Sequence, residues 1–117
     1  MPITEPSGSV PYIAGPYRAE TPWQTMENIR RARLKALELC RMGYYPFCPH
    51  ANTALFDGEM SDEFWLEMAM EHLRRCDFVV LVDGWIRSSG TWAEIHEAFR
   101  LGKQVYYPDH YIMEREP

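Results

Sequence analysis

The run Asp77-Phe-Val-Val-Leu-Val-Asp-Gly84 constrains the fold more than any other stretch of this 117-residue chain. Its apolar residues are continuous rather than alternating, which suits a strand buried on both faces, as in a parallel sheet. Parallel neighbours need crossover connections, and the flanking sequence supplies them. "VPYIAG" (10–15), "YYPFCP" (44–49) and "KQVYYP" (103–108) read as further short strands, the second of them broken by prolines. The first helix is opened by Thr21-Pro22, as N-cap and first-turn proline, and stopped by Gly43. Met26, Ile29, Ala32, Arg33, Ala36, Leu37 and Cys40 recur along it at helical spacing. A second helix is capped by Ser61, with Phe64, Trp65, Met68, Ala69, His72, Leu73 and Cys76 on one face, and a third covers 89–101. The order β-α-β-α-β-α-β predicts an α/β, flavodoxin- or Rossmann-like three-layer sandwich around a parallel sheet of about four to five strands. Residues 1–9, rich in Pro, Ser and Gly, read as a flexible N-terminal tail, and 10–117 as a single domain.

Composition narrows the function classes. A net charge of −5 argues against binding a nucleic-acid polymer, while leaving room for one local positive pocket and an anionic small ligand. Cys40, Cys48 and Cys76 are odd in number and lack metal-type spacing, so they read as reduced, mostly buried thiols of a cytoplasmic protein. The four histidines, His50, His72, His96 and His110, show no zinc-motif spacing, and the expected reading includes neither metal nor organic cofactor. No apolar run reaches the roughly 18 residues of a membrane span, and "MPITEPSGSV" lacks signal-peptide features, so no membrane association is expected.

Ligands of such sheets sit outside the carboxyl ends of the strands. Three segments converge there: "AGPYR", "CPHANT" and "DGWIRSSGTWAE". In the last, Thr91-Trp-Ala-Glu94 matches a capping box, in which Glu94 would reach back to the helix's own first amides. The same carboxylate leaves the most buried strand at the ligand edge, preceded by Ser88, Ser89 and Gly90, small groups that let a ligand approach backbone amides. A carboxylate so placed suits cleavage of a sugar–base bond, where an oxocarbenium-like cation develops at the anomeric carbon. His50 and Asn52 could contact the base or sugar, or could shape their proline-rich loop. Trp23, Trp65, Trp85 and Trp92 read as core residues, with Trp85 or Trp92 also placed to stack on a base. Asp83 reads either as a turn residue in "DG" or as an acid at the strand end.

"YIAGPY", "CPH", "LRRCDFVVLVDGW" and "SSGTWAEIHEAFRLGKQV" together resemble the nucleoside 2-deoxyribosyltransferase-like superfamily over about residues 10–108. "PHANTALFDG" resembles its small DUF4406-type branch, and the chain is similar to 2′-deoxynucleoside 5′-monophosphate N-glycosidases. The resemblance implies that Glu94 is the nucleophile or ion stabiliser and that Tyr12 places it. It further implies that Gly15, Pro16, Tyr17 and Arg18 contact sugar or phosphate. Ser88, six residues before the glutamate, corresponds to the phosphate-binding serine of the monophosphate hydrolases and implies a nucleotide substrate. The chain departs from the family at Ala69, eight residues before Asp77, where an aspartate assists protonation of the base. Asp83 is the expected substitute, ahead of Glu67 and Glu71. The resemblance implies a homodimer acting on a small-molecule nucleoside or nucleotide. Two other readings are a nucleotide-sensing module that has lost turnover, favoured by Ala69, and a cytokinin-activating-type phosphoribohydrolase, disfavoured because its "PGG" loop is missing.

Overall fold

The computed structural model describes residues 2–114; residue 1 of the expected tail and 115–117 of the expected domain lie outside the described residues. The elements run β1 (Pro11–Ala14), α1 (Pro22–Arg41), α2 (Pro49–Asn52), α3 (Asp62–Arg75), β2 (Phe78–Leu81), a 3-10 turn (Trp85–Arg87), α4 (Ser89–Arg100) and β3 (Val105–Tyr106). All three strands are parallel in the order β1-β2-β3, with Pro11 opposite Phe78 and Val79 opposite Val105.

The sheet is therefore smaller than the four to five strands expected. Residues 44–49 contribute one isolated parallel bridge, Phe47 to Tyr12, beyond the β1 edge. Three hydrogen bonds hold it: Tyr45 N–H to the Ser9 carbonyl (2.9 Å), Phe47 N–H to Pro11 (2.8 Å) and Ile13 N–H to Phe47 (3.0 Å). Pro46 and Pro49 have no N–H to give, so the ladder cannot lengthen.

Alternation along the strands divides the core in two. Tyr12, Ala14, Val79, Leu81 and Val105 face one way, onto Leu73, Ile95 and Ala98 of α3 and α4. Ile13, Phe78, Val80, Val82 and Tyr106 face the other, onto Ala32 and Leu39 of α1. The buried strand thus has apolar neighbours on both sides, as its continuous sequence requires. On α1 the stripe is rotated from the expected one: Ala32 and Leu39 are buried, while Met26, Arg33, Leu37 and Cys40 are exposed. Trp23, expected in the core, is also exposed. The N-terminal segment lies against this face rather than projecting from it. Ile3 packs on the α1-side core, and the Tyr44 and Tyr106 hydroxyls donate to Glu5, at 2.9 and 2.7 Å.

The caps of α1 and α3 are the expected ones: Thr21 accepts from Gln24 N–H and Ser61 from Phe64 N–H, both at 3.1 Å. Gly15 ends β1 under a tight constraint, since a Cβ there would stand 2.8 Å from the Cβ of Val82. That atom is fixed to the backbone of the residue that directly follows β2 and cannot swing away. Gly15→Ala is expected to cost roughly 1–3 kcal/mol, read as a lower urea midpoint at unchanged slope. An unchanged midpoint would show that the loop after β1 yields freely.

Candidate active site

Tyr12 ends its side chain on the α3–α4 side of the sheet, and Glu94 meets it there. Thr91, Ile95 and Ala98 are the buried residues of α4, and Glu94 lies on the same stripe, one turn after Thr91. A carboxylate on a core-facing stripe is costly unless it is hydrogen-bonded. The Tyr12 hydroxyl donates to Glu94 Oε2. Glu94 does not cap its own helix. Ser88 is the N-cap, its Oγ accepting from Thr91 N–H (3.2 Å) and from Thr91 Oγ1–H (2.8 Å). The capping-box alternative fails because the helix begins at Ser89, so Glu94 sits more than a turn beyond the free amides.

Around this pair opens a cavity of about 580 Å³, floored by Tyr12 and Glu94. One wall is the loop Gly15–Arg18 and another the start of α4, Ser88 to Thr91. The third is a face of α3 carrying Trp65, Ala69 and His72. Glu94 is half-buried: it borders the cavity yet is enclosed by protein on most sides. Burial pushes its carboxyl up to about 7, and the Tyr12 hydrogen bond pulls in the opposite direction. The Tyr12 phenol is pushed well above its ordinary value, first by burial and then by the neighbouring Glu94 charge, so its proton stays in the bond.

Of the expected site residues, Tyr12, Gly15, Pro16, Arg18, His50, Ser88, Ser89, Gly90 and Glu94 all border this one cavity. Their individual engagements differ. His50 is buried, and its Nε2–H is shared between the Gly15 and Pro16 carbonyls, both at 3.0 Å. Burial lowers its ionisation, so a neutral ring fixes the loop after β1. Arg18 at the rim is ion-paired with Asp62 (2.7 Å), and Tyr17 donates to Asp57 (2.6 Å), fastening that loop to the first residue of α3 and to the segment before it. Ser88 has both oxygen lone pairs taken by Thr91 and keeps its own hydrogen to donate.

Two expected residues stand apart. Asp83 borders a separate hollow of about 420 Å³ with Lys35, Glu38 and Asp109. Val82 turns its side chain into the α1-side core, and the chain then reverses through Gly84 at φ +91°, which leaves Asp83 outside the Glu94 cavity. Asn52 is exposed on α2 and is not one of the cavity's walls. Trp85 and Trp92 pack against each other with ring centroids 5.2 Å apart, and neither borders the cavity. Among the cavity-lining residues that sequence reasoning did not assign to the site are Trp65, His72 and Arg87. Trp65 and His72 were legible as one face of a helix, but that face reads as core until its far end is seen to open on the ligand edge.

Among the described residues there is no cluster of three or more metal-ligating side chains, and no helix is long and apolar enough to cross a membrane. A search of curated protein sequences gives no match. Among solved structures, a 2-deoxyribosyltransferase from Bacillus psychrosaccharolyticus is similar, at TM-score 0.61 and 23% identity over 85% of this chain and 71% of that one. The likeness supports the nucleoside deoxyribosyltransferase-like fold, and a shared fold does not by itself carry a shared reaction. The family model that matches is not that of the DUF4406-type branch. It is described as "Domain of unknown function (DUF7768)" and covers residues 9–108, so the chain belongs to the DUF7768 family.

Proposed function

We propose that the protein cleaves the N-glycosidic bond of a nucleoside or nucleoside 5′-monophosphate, with Glu94 as the group that meets C1′. The observation that carries this reading is the enclosed carboxylate, hydrogen-bonded by Tyr12 and bordering a cavity that the start of its own helix also lines. As the C1′–N bond breaks, its electron pair leaves with the base and positive charge develops on the sugar. The Glu94 carboxylate shields that charge or forms the C1′–O bond. Water then releases the sugar, or a second base accepts it.

The 5′-phosphate belongs at the start of α4. The first amides there, of Ser89 and Gly90, have no acceptor within the helix, and the Ser88 hydroxyl hydrogen is free to join them. Arg18 reaches the phosphate only by leaving Asp62. Exposed Phe56 and Leu66 at the cavity wall suit a homodimer, and the three unpaired cysteines suit the cytoplasm. Ala69 favours a second reading, a nucleotide-sensing module without turnover, because the α3 wall offers no carboxylic acid at that point.

One assay separates the two. Release of free base is followed for a panel of nucleosides and nucleotides with the wild type and with Glu94→Ala, alongside equilibrium binding. Release that depends on Glu94 supports cleavage. Binding with no Glu94-dependent release leaves the sensing module.

A further inference from the structure

His72 is a polar side chain of the cavity that the reading above leaves unused. It lies on α3 three residues after Ala69, and both border the cavity. Ala69 carries only a methyl group and so leaves no polar side chain at that point of the wall. The neighbouring polar groups are engaged: Tyr12 with Glu94, Tyr17 with Asp57, Arg18 with Asp62, and His50 with two carbonyls. His72 has no hydrogen-bond partner at either ring nitrogen among the described residues.

The two nitrogens are nevertheless unlike. Nδ1 is closed off from solvent, with the ring packed edge-on against Phe47 at 4.6 Å. Nδ1 stays unbonded whichever nitrogen carries the hydrogen, and a proton placed there would be a donor that no ligand can reach. With its hydrogen on Nε2, which is not closed off, the neutral ring offers a donor at the nitrogen that can meet a ligand in the cavity His72 borders. Phe47 also packs on Tyr12, with centroids 6.1 Å apart, so His72 sits on the Tyr12–Glu94 side of the cavity. There a ligand whose C1′ faces Glu94 would present the base atoms nearest its sugar. Those atoms are acceptors: N3 and N7 of a purine, O2 of a pyrimidine.

We propose that His72 Nε2–H donates to the sugar-proximal acceptor of the substrate's base and so determines which heterocycles the cavity takes. This rests on reading the cavity as a nucleoside or nucleotide site, and it requires no cleavage. A base with a donor or a C–H at that edge is rejected, because the histidine's hydrogen is then buried unbonded.

Binding is measured in a Glu94→Gln background, which holds ligand without turnover. The probes are the purine 2′-deoxynucleoside 5′-monophosphates with their 3-deaza and 7-deaza analogues, and the pyrimidine monophosphates with their 2-thio analogues. For the bases that bind, the parent is expected to bind roughly 10-fold tighter than the analogue lacking or weakening the acceptor. Adding His72→Phe, which keeps the ring packing on Phe47, erases that ratio. Adding His72→Gln, which can place an N–H near the same point, restores part of it. Thermal melts verify that each variant is folded. The inference is overturned if His72→Phe weakens parent and analogue alike, if it weakens neither, or if no nucleotide binds. Failure of the cleavage reading looks different. A His72-dependent ratio with no base release by the wild type keeps the donor and removes the reaction, whereas Glu94-dependent release indifferent to His72 does the reverse.

Discussion

Glu94→Gln is expected to raise the melting temperature by ~10 °C at pH 8 while lowering base release by roughly 10³-fold. Both effects come from the same enclosed carboxylate. Its carboxyl titrates at about 7 in the fold, against an ordinary value of 4.5. That difference corresponds to on the order of 2–3 kcal/mol against the folded state once the group is ionised, discounted for its opening to the cavity. Between pH 4.5 and about 7 the unfolded chain has released this proton and the folded chain still holds it, so stability falls as pH rises through that window. Above it the penalty is fully present. The glutamine amide never ionises, and its carbonyl still accepts the Tyr12 hydroxyl. His50 has the opposite sign, since burial lowers its ionisation and protonation favours unfolding, but it is common to both proteins and cancels in their difference. Melting curves at pH 8 and pH 4 therefore check the claim: a wide gap at the first and little at the second. The loss of release follows because an amide can neither shield a cation at C1′ nor bond to it, and a 10³-fold loss is about 4 kcal/mol of barrier. A variant equally stable at pH 8 would mean that the carboxylate carries no burial penalty.

Much of this arrangement is legible in the residue pattern, and the errors have identifiable causes. The unbroken apolar run of β2 requires two covered faces, and the cores on either side of the sheet satisfy it. Edge pairing was harder to read, because two prolines remove donors without removing the β-like run in which they occur. The cap of α4 differs for a related reason: the pattern from Thr91 to Glu94 matches a capping box, but Ser88 is also a cap-forming residue type, and in the fold it is Ser88 Oγ that accepts from Thr91. Asp83 was misplaced because a strand-end residue can point to either face. The αL turn at Gly84 and the inward Val82 send it to the α1 side. The convergence of Tyr12, the loop after it and the α4 start is dictated by parallel topology, whereas the polar state of each member depends on partners distant in sequence. Arg18 illustrates this: its positive charge was evident, but not its ion pair with Asp62, 44 residues away.

Tyr12→Phe is expected to move the acid limb of the turnover–pH profile upward by about one to two pH units and to cut the rate at pH 7 by roughly 5- to 50-fold. The sign follows from which form the hydroxyl favours. Its hydrogen bond stabilises the ionised Glu94 and lowers a pKa that burial has raised to about 7. A hydrogen bond to a charged group contributes roughly 1.5–3 kcal/mol, or about one to two pKa units, so without it the carboxyl would titrate near 8–9. At pH 7 about half of the wild-type molecules carry the reactive carboxylate, and the variant retains between about 1 and 10%. The rate lost at pH 7 should then return as pH rises toward 9, since the attacking group is unchanged. This recovery distinguishes the hydroxyl's electrostatic effect from mere damage to the site. A defect of constant size across the profile would mean that Tyr12 fixes where the carboxylate points and leaves its ionisation alone. Phenylalanine fills almost the same volume beside Phe47, whose ring lies 6.1 Å from that of Tyr12, so packing is preserved and the pH dependence can be read directly.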